Sequence, residues 1–85
     1  MIPFKVLLVE DDTDLREAIS ATLRLGGVEH EAFESAEDGL LALDPEAEQM
    51  LVTDFRLPGM NGLQLLALAQ ERHPQLPVVV MTAYA

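Results

Sequence analysis

Four carboxylates in this sequence stand where chemistry could be assembled. Glu10, Asp11 and Asp12 follow directly on the apolar run Phe4 to Val9, and Asp54 follows the apolar stretch Met50 to Thr53. Thr82 follows a third such run, Pro77 to Met81. If the first two runs are neighbouring strands of a parallel sheet, their acids meet at its carboxyl edge, where open α/β sheets bind ligands. Clustered like charges raise one another's pKa unless a cation neutralises them. Hard oxygen donors at one side of an open cleft suit Mg²⁺, which keeps several waters and takes few protein carboxylates.

Each acid also has a plainer explanation. Acids just before a helix stabilise its positive N-terminus, and that role suffices for Asp12 and Asp14. It serves less well for Glu10 and Asp11, which sit at the strand's end. It fails for Asp54, because Phe55-Arg56-Leu57-Pro58-Gly59 reads as a loop rather than a helix start. Strand propensity alone accounts for Thr82 equally well. Competing constellations fail on spacing. Asp12-Thr13-Asp14 comes too late after the first strand for a haloacid-dehalogenase nucleophile, and Arg56 stands where a Toprim site needs its second aspartate. No glycine-rich phosphate loop precedes a helix. His30, expected on the surface of an edge strand, and His73, expected at a helix end, do not read as ligands.

The elements that must position these residues follow from apolar periodicity. Phe4 to Val9, Met50 to Thr53 and Pro77 to Met81 are continuous apolar runs, the pattern of strands buried on both faces. Asp14 to Leu25 carries a helical stripe (Leu15, Ala18, Ile19, Thr22, Leu23), with Thr13 placed to cap it and Gly26-Gly27 to stop it. Val28 to Glu34 alternates loosely, as a half-exposed edge strand does. Ser35-Ala36-Glu37-Asp38 has the form of a capping box for a short helix through Leu43, ended by Asp44-Pro45. Asn61 can cap a third helix, Gly62 to Arg72, with Leu63, Leu66 and Ala67 on one side. The order βαβαβαβ predicts an α/β fold: a parallel sheet with helices on both faces and right-handed crossovers.

Composition narrows the function. The 85 residues hold 15 acids and five bases, a net charge of −10. That balance excludes direct binding of nucleic acid or an anionic membrane by this segment, since both need a basic footprint. Nine acids and no base lie between Arg24 and Arg56; a solvated face explains most of them. The absence of cysteine excludes a disulfide framework, a thiolate zinc site and a cysteine nucleophile. No apolar stretch is long enough to span a bilayer and no secretory signal opens the chain, so a cytoplasmic location is the default expectation.

Taken together, Val6-Leu7-Leu8-Val9-Glu10-Asp11-Asp12, Leu15-Arg16, Val52-Thr53-Asp54-Phe55-Arg56-Leu57-Pro58-Gly59-Met60-Asn61-Gly62 and Leu76-Pro77-Val78-Val79-Val80-Met81-Thr82-Ala83 resemble the receiver domain of bacterial two-component response regulators. The likeness runs the whole chain. Arg56-Leu57-Pro58-Gly59-Met60 and Arg72-His73-Pro74 are most similar to the NtrC/DctD class of sigma-54-dependent activators. The resemblance implies a flavodoxin-like (CheY-like) sheet with Asp54 as phosphoacceptor and a sensor histidine kinase as phosphodonor. It implies Mg²⁺ as cofactor, held by Glu10, Asp11, Asp54 and the backbone carbonyl of Arg56, with Asp11 favoured as a direct ligand. Thr82 becomes the switch hydroxyl. Asp12 lies one place beyond the family's acid pair and has no assigned role. A carboxylate can form an acyl phosphate, and Mg²⁺ balances charge in phosphoryl transfer; nothing here implies a turnover enzyme.

The same resemblance makes residues 1–85 the N-terminal part of a receiver, with the fifth βα unit missing. With that unit goes the family's phosphoryl-pairing lysine; the chain's single lysine, Lys5, lies before the first strand, at the wrong end of the sheet. The class-distinct alternative is a non-catalytic receiver segment acting in protein interaction or self-association. A homodimer or other self-association through an exposed last strand is an expectation, because such an edge offers unpaired backbone groups.

Overall fold

The computed structural model describes residues 4–81. Its elements are β1 (Lys5–Val9), α1 (Thr13–Leu25), β2 (His30–Phe33), α2 (Ala36–Leu41), β3 (Gln49–Asp54), β4 (Arg56–Leu57), β5 (Met60–Asn61), α3 (Gly62–Arg72) and β6 (Val78–Met81). Four strands form one parallel sheet in the order β2-β1-β3-β6. This is the expected order, with the first and third long strands side by side. Leu7 pairs with Leu51, which pairs with Val78; one step on, Leu8, Val52 and Val79 form the next row.

Alternation along the strands sends these rows to opposite faces. On one face Leu7, Val9 and Leu51 meet Ala36 and Leu40 of α2 and Leu65 and Ala69 of α3, closed by Leu76. Gly39 of α2 lies so near Val9 that a Cβ there would stand 2.6 Å from its Cγ2, so only glycine permits this approach. On the other face Val6 and Leu8 are buried, yet α1 contributes no fully buried residue. Leu15 is 47% exposed and Val79 46%. Among the described residues the second face is only partly covered.

Several local expectations are corrected. The cap of α1 is Asp12, not Thr13: the Leu15 backbone N–H donates to Asp12 Oδ1 at 3.0 Å, and Thr13 is already helical. α2 stops at Leu41, before Asp44-Pro45, because its last turn closes on Gly39 and Leu40 carbonyls. The buried side of α3 is Gly62, Leu65 and Ala69, whereas Leu63 and Ala67 are exposed. The capping box of Asn61 and Gln64 fixes that rotation. The segment after Asp54 is a small antiparallel ladder, Arg56 opposite Asn61 and Leu57 opposite Met60. Gly59 turns it with φ +82°, a conformation glycine adopts freely. His30 is half-buried rather than on the open surface, its Nε2 2.6 Å from Ser20 Oγ of α1 and its Nδ1 3.0 Å from the Val28 carbonyl. His73 is buried as well as capping α3, and its Nε2 lies 3.1 Å from the Ala47 carbonyl. Both rings tie elements together.

Candidate metal and phosphoacceptor centre

β1 and β3 end at the same level, and that places the acids. Val9 pairs with Thr53, so Glu10 and Asp54 occupy adjacent strand ends. Carboxylate oxygens of Glu10, Asp11 and Asp54 lie within 4.8 Å of one another. Glu10 is buried, 1% exposed, and Asp11 is exposed, so the group spans the boundary between core and solvent.

Backbone bonds hold each side chain. The Glu10 N–H donates to the Phe33 carbonyl at 3.0 Å. Glu10 Oε2 accepts from the Asp12 N–H at 3.1 Å, whereas its buried Oε1 has no partner among the described residues. Asp54 Oδ1 accepts from the Phe55 N–H at 2.9 Å, and Thr53 Oγ1 donates to the Asp54 carbonyl at 3.0 Å. Burial pushes the Glu10 carboxyl above its ordinary pKa; the Asp12 N–H opposes this, and the charges of Asp54 and Asp11 add to it. A buried acceptor left without a donor, facing two further carboxylates, is costly in a metal-free site. A hard divalent cation relieves both costs, so these residues fit Mg²⁺.

The other expected site residues are placed as follows. Asp12 turns its carboxylate to the α1 N-terminus, the structural role available to it from sequence. Arg56 opens β4 and is exposed. Thr82 lies outside the described residues. Two contributors were not singled out for a role by sequence reasoning. The Arg16 guanidinium reaches back from α1, and Nη1 donates to the Glu10 carbonyl at 2.8 Å. Gly62 packs on the phosphoacceptor candidate's backbone: a Cβ there would lie 2.9 Å from the Asp54 carbonyl oxygen and 3.0 Å from Val80 Cγ1. Glycine directly after a helix cap was the available signal for the second. A cleft of about 640 Å³ lies elsewhere, lined by Phe4, Pro45, Met50, His73 and Pro77 among others, and includes none of the candidate site residues.

Sheet order and strand-end acids together define an open, parallel α/β module with an acidic pocket at the carboxyl edge of its sheet. Residues 6–85 match the response regulator receiver domain family, and the chain belongs to it. Response regulator protein FleR of Pseudomonas aeruginosa is 56% identical over 80 residues, covering 94% of this chain and 17% of FleR. The DNA-binding transcriptional regulator NtrC of Proteus hauseri is 40% identical over 80 residues, again 94% of this chain and 17% of NtrC. This chain thus spans about a sixth of the length of these relatives. A CheY-like receiver domain structure from Methanospirillum hungatei superposes with TM-score 0.85 at 31% identity, over 95% of this chain and 65% of the other. The expected receiver fold and the likeness to the NtrC class both hold. Receiver domains accept phosphoryl groups from sensor kinases and generally bind Mg²⁺ at an acidic pocket. Among the described residues no helix is long and apolar enough to cross a membrane.

Proposed function

We propose that Asp54 is the phosphoacceptor of this receiver and that Glu10, Asp11, Asp54 and the Arg56 carbonyl hold the Mg²⁺ it uses. The observation that carries this reading is the convergence of three carboxylates at one sheet edge, one of them Glu10, whose buried Oε1 finds no hydrogen-bond partner among the described residues. The Phe55 N–H engages Asp54 Oδ1, which orients the carboxylate and leaves Oδ2 as the nucleophile. Oδ2 attacks the phosphorus of a phosphohistidine on a sensor kinase. The new P–O bond forms as the P–N bond breaks, and the imidazole leaves with the electron pair and takes up a proton. Bound Mg²⁺ supplies charge balance for the loose transition state. Thr82 is the switch hydroxyl that reads the product, and the transcriptional output lies outside residues 1–85.

Labelling by acetyl phosphate tests the assignment. Asp54→Asn abolishes a hydroxylamine-labile phosphoryl label, while Asp12→Asn keeps it, because asparagine caps α1 as well as aspartate does. Label surviving in Asp54→Asn overturns the reading.

A second reading, self-association, is favoured by one observation. Among the described residues β6 pairs only with β3, and Val79 is 46% exposed. A second copy is the occupant that offers the same strand edge. Both readings can hold for one chain, since the acids lie at the strand ends rather than along the β6 edge.

A further inference from the structure

We propose that Arg16 is a positioning residue for the cation site, acting through the backbone of Glu10 rather than on the ion. The inference rests on the metal reading above. Arg16 sits one turn into α1, and its Nη1 donates to the Glu10 carbonyl at 2.8 Å, six residues back. Its own N–H donates to the Asp12 carbonyl at 2.9 Å, so one residue grips the β1–α1 turn on both sides. Between these two anchors lies Asp11. The Asp12 N–H, in turn, holds Glu10 Oε2 at 3.1 Å and so fixes a carboxylate that has an oxygen within 4.8 Å of oxygens of Asp11 and Asp54.

The chain of contacts is short and has one cationic member. With the guanidinium removed, the carbonyl of a residue that is 1% exposed loses its charge-assisted donor. The peptide between Glu10 and Asp11 is then free to rotate, and rotation carries the Asp11 carboxylate and the Asp12 N–H with it. Both are parts of the site.

Charge alone predicts the opposite result. Arg16 is a cation close to a cation site, so by Coulomb's law its removal strengthens Mg²⁺ binding. Positioning predicts weakening, as loss of an outer partner of a metal ligand costs roughly 10- to 100-fold in metal affinity. The sign of the change therefore separates the two, and a purely structural tether moves the melting midpoint without moving affinity.

Mg²⁺ affinity is measured by titration calorimetry on the intact chain at constant ionic strength, with the metal-free melting midpoint recorded for each variant. Arg16→Met is expected to weaken binding roughly tenfold or more. Arg16→Gln, which keeps a neutral donor, weakens it less, and carries the test by itself if Arg16→Met melts below the assay temperature. Equal or tighter binding in the variants, beside a wild type that binds, overturns this inference alone. A wild type whose binding is absent, or is unaffected by Asp11→Asn, overturns the metal reading and the inference with it.

Discussion

Glu10 and Asp54 bring carboxylate oxygens within 4.8 Å of each other from adjacent strand ends, one wholly buried and the other half-buried. Parallel pairing of Val9 with Thr53 forces this proximity, so the repulsion is built into the sheet register. A cation that binds the native state and not the unfolded chain then stabilises the fold by RT ln(1 + [L]/Kd). Millimolar Mg²⁺ is expected to raise the melting midpoint, and Asp11→Ala to remove most of the rise. Identical midpoints with and without Mg²⁺ in the wild type contradict a preformed site.

The raised Glu10 pKa has a defined consequence for pH. Its native carboxyl holds a proton more tightly than the unfolded chain does, from the ordinary value of 4.5 upward. The native state therefore binds more protons than the unfolded chain in this range, so this group's contribution to stability falls as pH rises from about 4.5 through the raised native value, and stays low above it. Glu10→Gln removes the charge and keeps an acceptor for the Asp12 N–H. Without Mg²⁺ it is expected to stabilise the protein at pH 7 by about 1 kcal/mol, with little gain at pH 4. Urea melts at both values check this, and destabilisation at pH 7 contradicts it.

Gly62 sets how closely α3 approaches the end of β3. Its N–H donates to the Phe55 carbonyl at 2.6 Å, and an added Cβ meets backbone atoms of Asp54 and Phe55 at 2.9 and 3.1 Å. Backbone does not yield as a flexible side chain does. Gly62→Ala is expected to cost about 1–3 kcal/mol and to slow labelling of Asp54 even where the variant is folded. Gly59→Ala meets open space and bears only the left-handed strain of φ +82°, about 1–2 kcal/mol, with labelling unchanged. Labelling equally impaired in both variants removes Gly62 from the site.

Where each residue type had a single outlet, the sequence was sufficient. The apolar runs of β1, β3 and β6 read as neighbouring parallel strands, and the acids had to follow at the carboxyl edge of their sheet; the expected burial of both faces holds for β1 and not for β6, which has no fully buried residue. The placement of Glu10, Asp11 and Asp54 together was legible for that reason. Choices between near-equal partners were not. Asp12 and Thr13 both cap helices well, and geometry decides for Asp12. α3 is apolar around much of its circumference, so Leu63, Leu66 and Ala67 described a side as readily as the buried Leu65 and Ala69. The β4–β5 ladder has two-residue strands, too short for any period. Contacts between distant side chains and backbone, such as Arg16 on Glu10, leave no trace in periodicity at all.

The partly covered face yields the last expectation. Leu8, Val52 and Val79 form one row, with exposure rising outward to Val79. Val78 to Val80 carries no charge, and β6 pairs on one side only in the described sheet. Such an edge pairs with another chain unless charge or cover prevents it. The net charge of −10 opposes association of two copies at low salt, and that opposition is screened within about 8 Å at physiological ionic strength. Self-association is therefore expected to strengthen with added NaCl, the reverse of an interface made by ion pairs. Val79→Glu, at a position solvent already reaches, is expected to abolish it without unfolding the chain. Light scattering across a salt series measures this for both proteins. A monomer at every salt concentration removes the β6 edge as an interface.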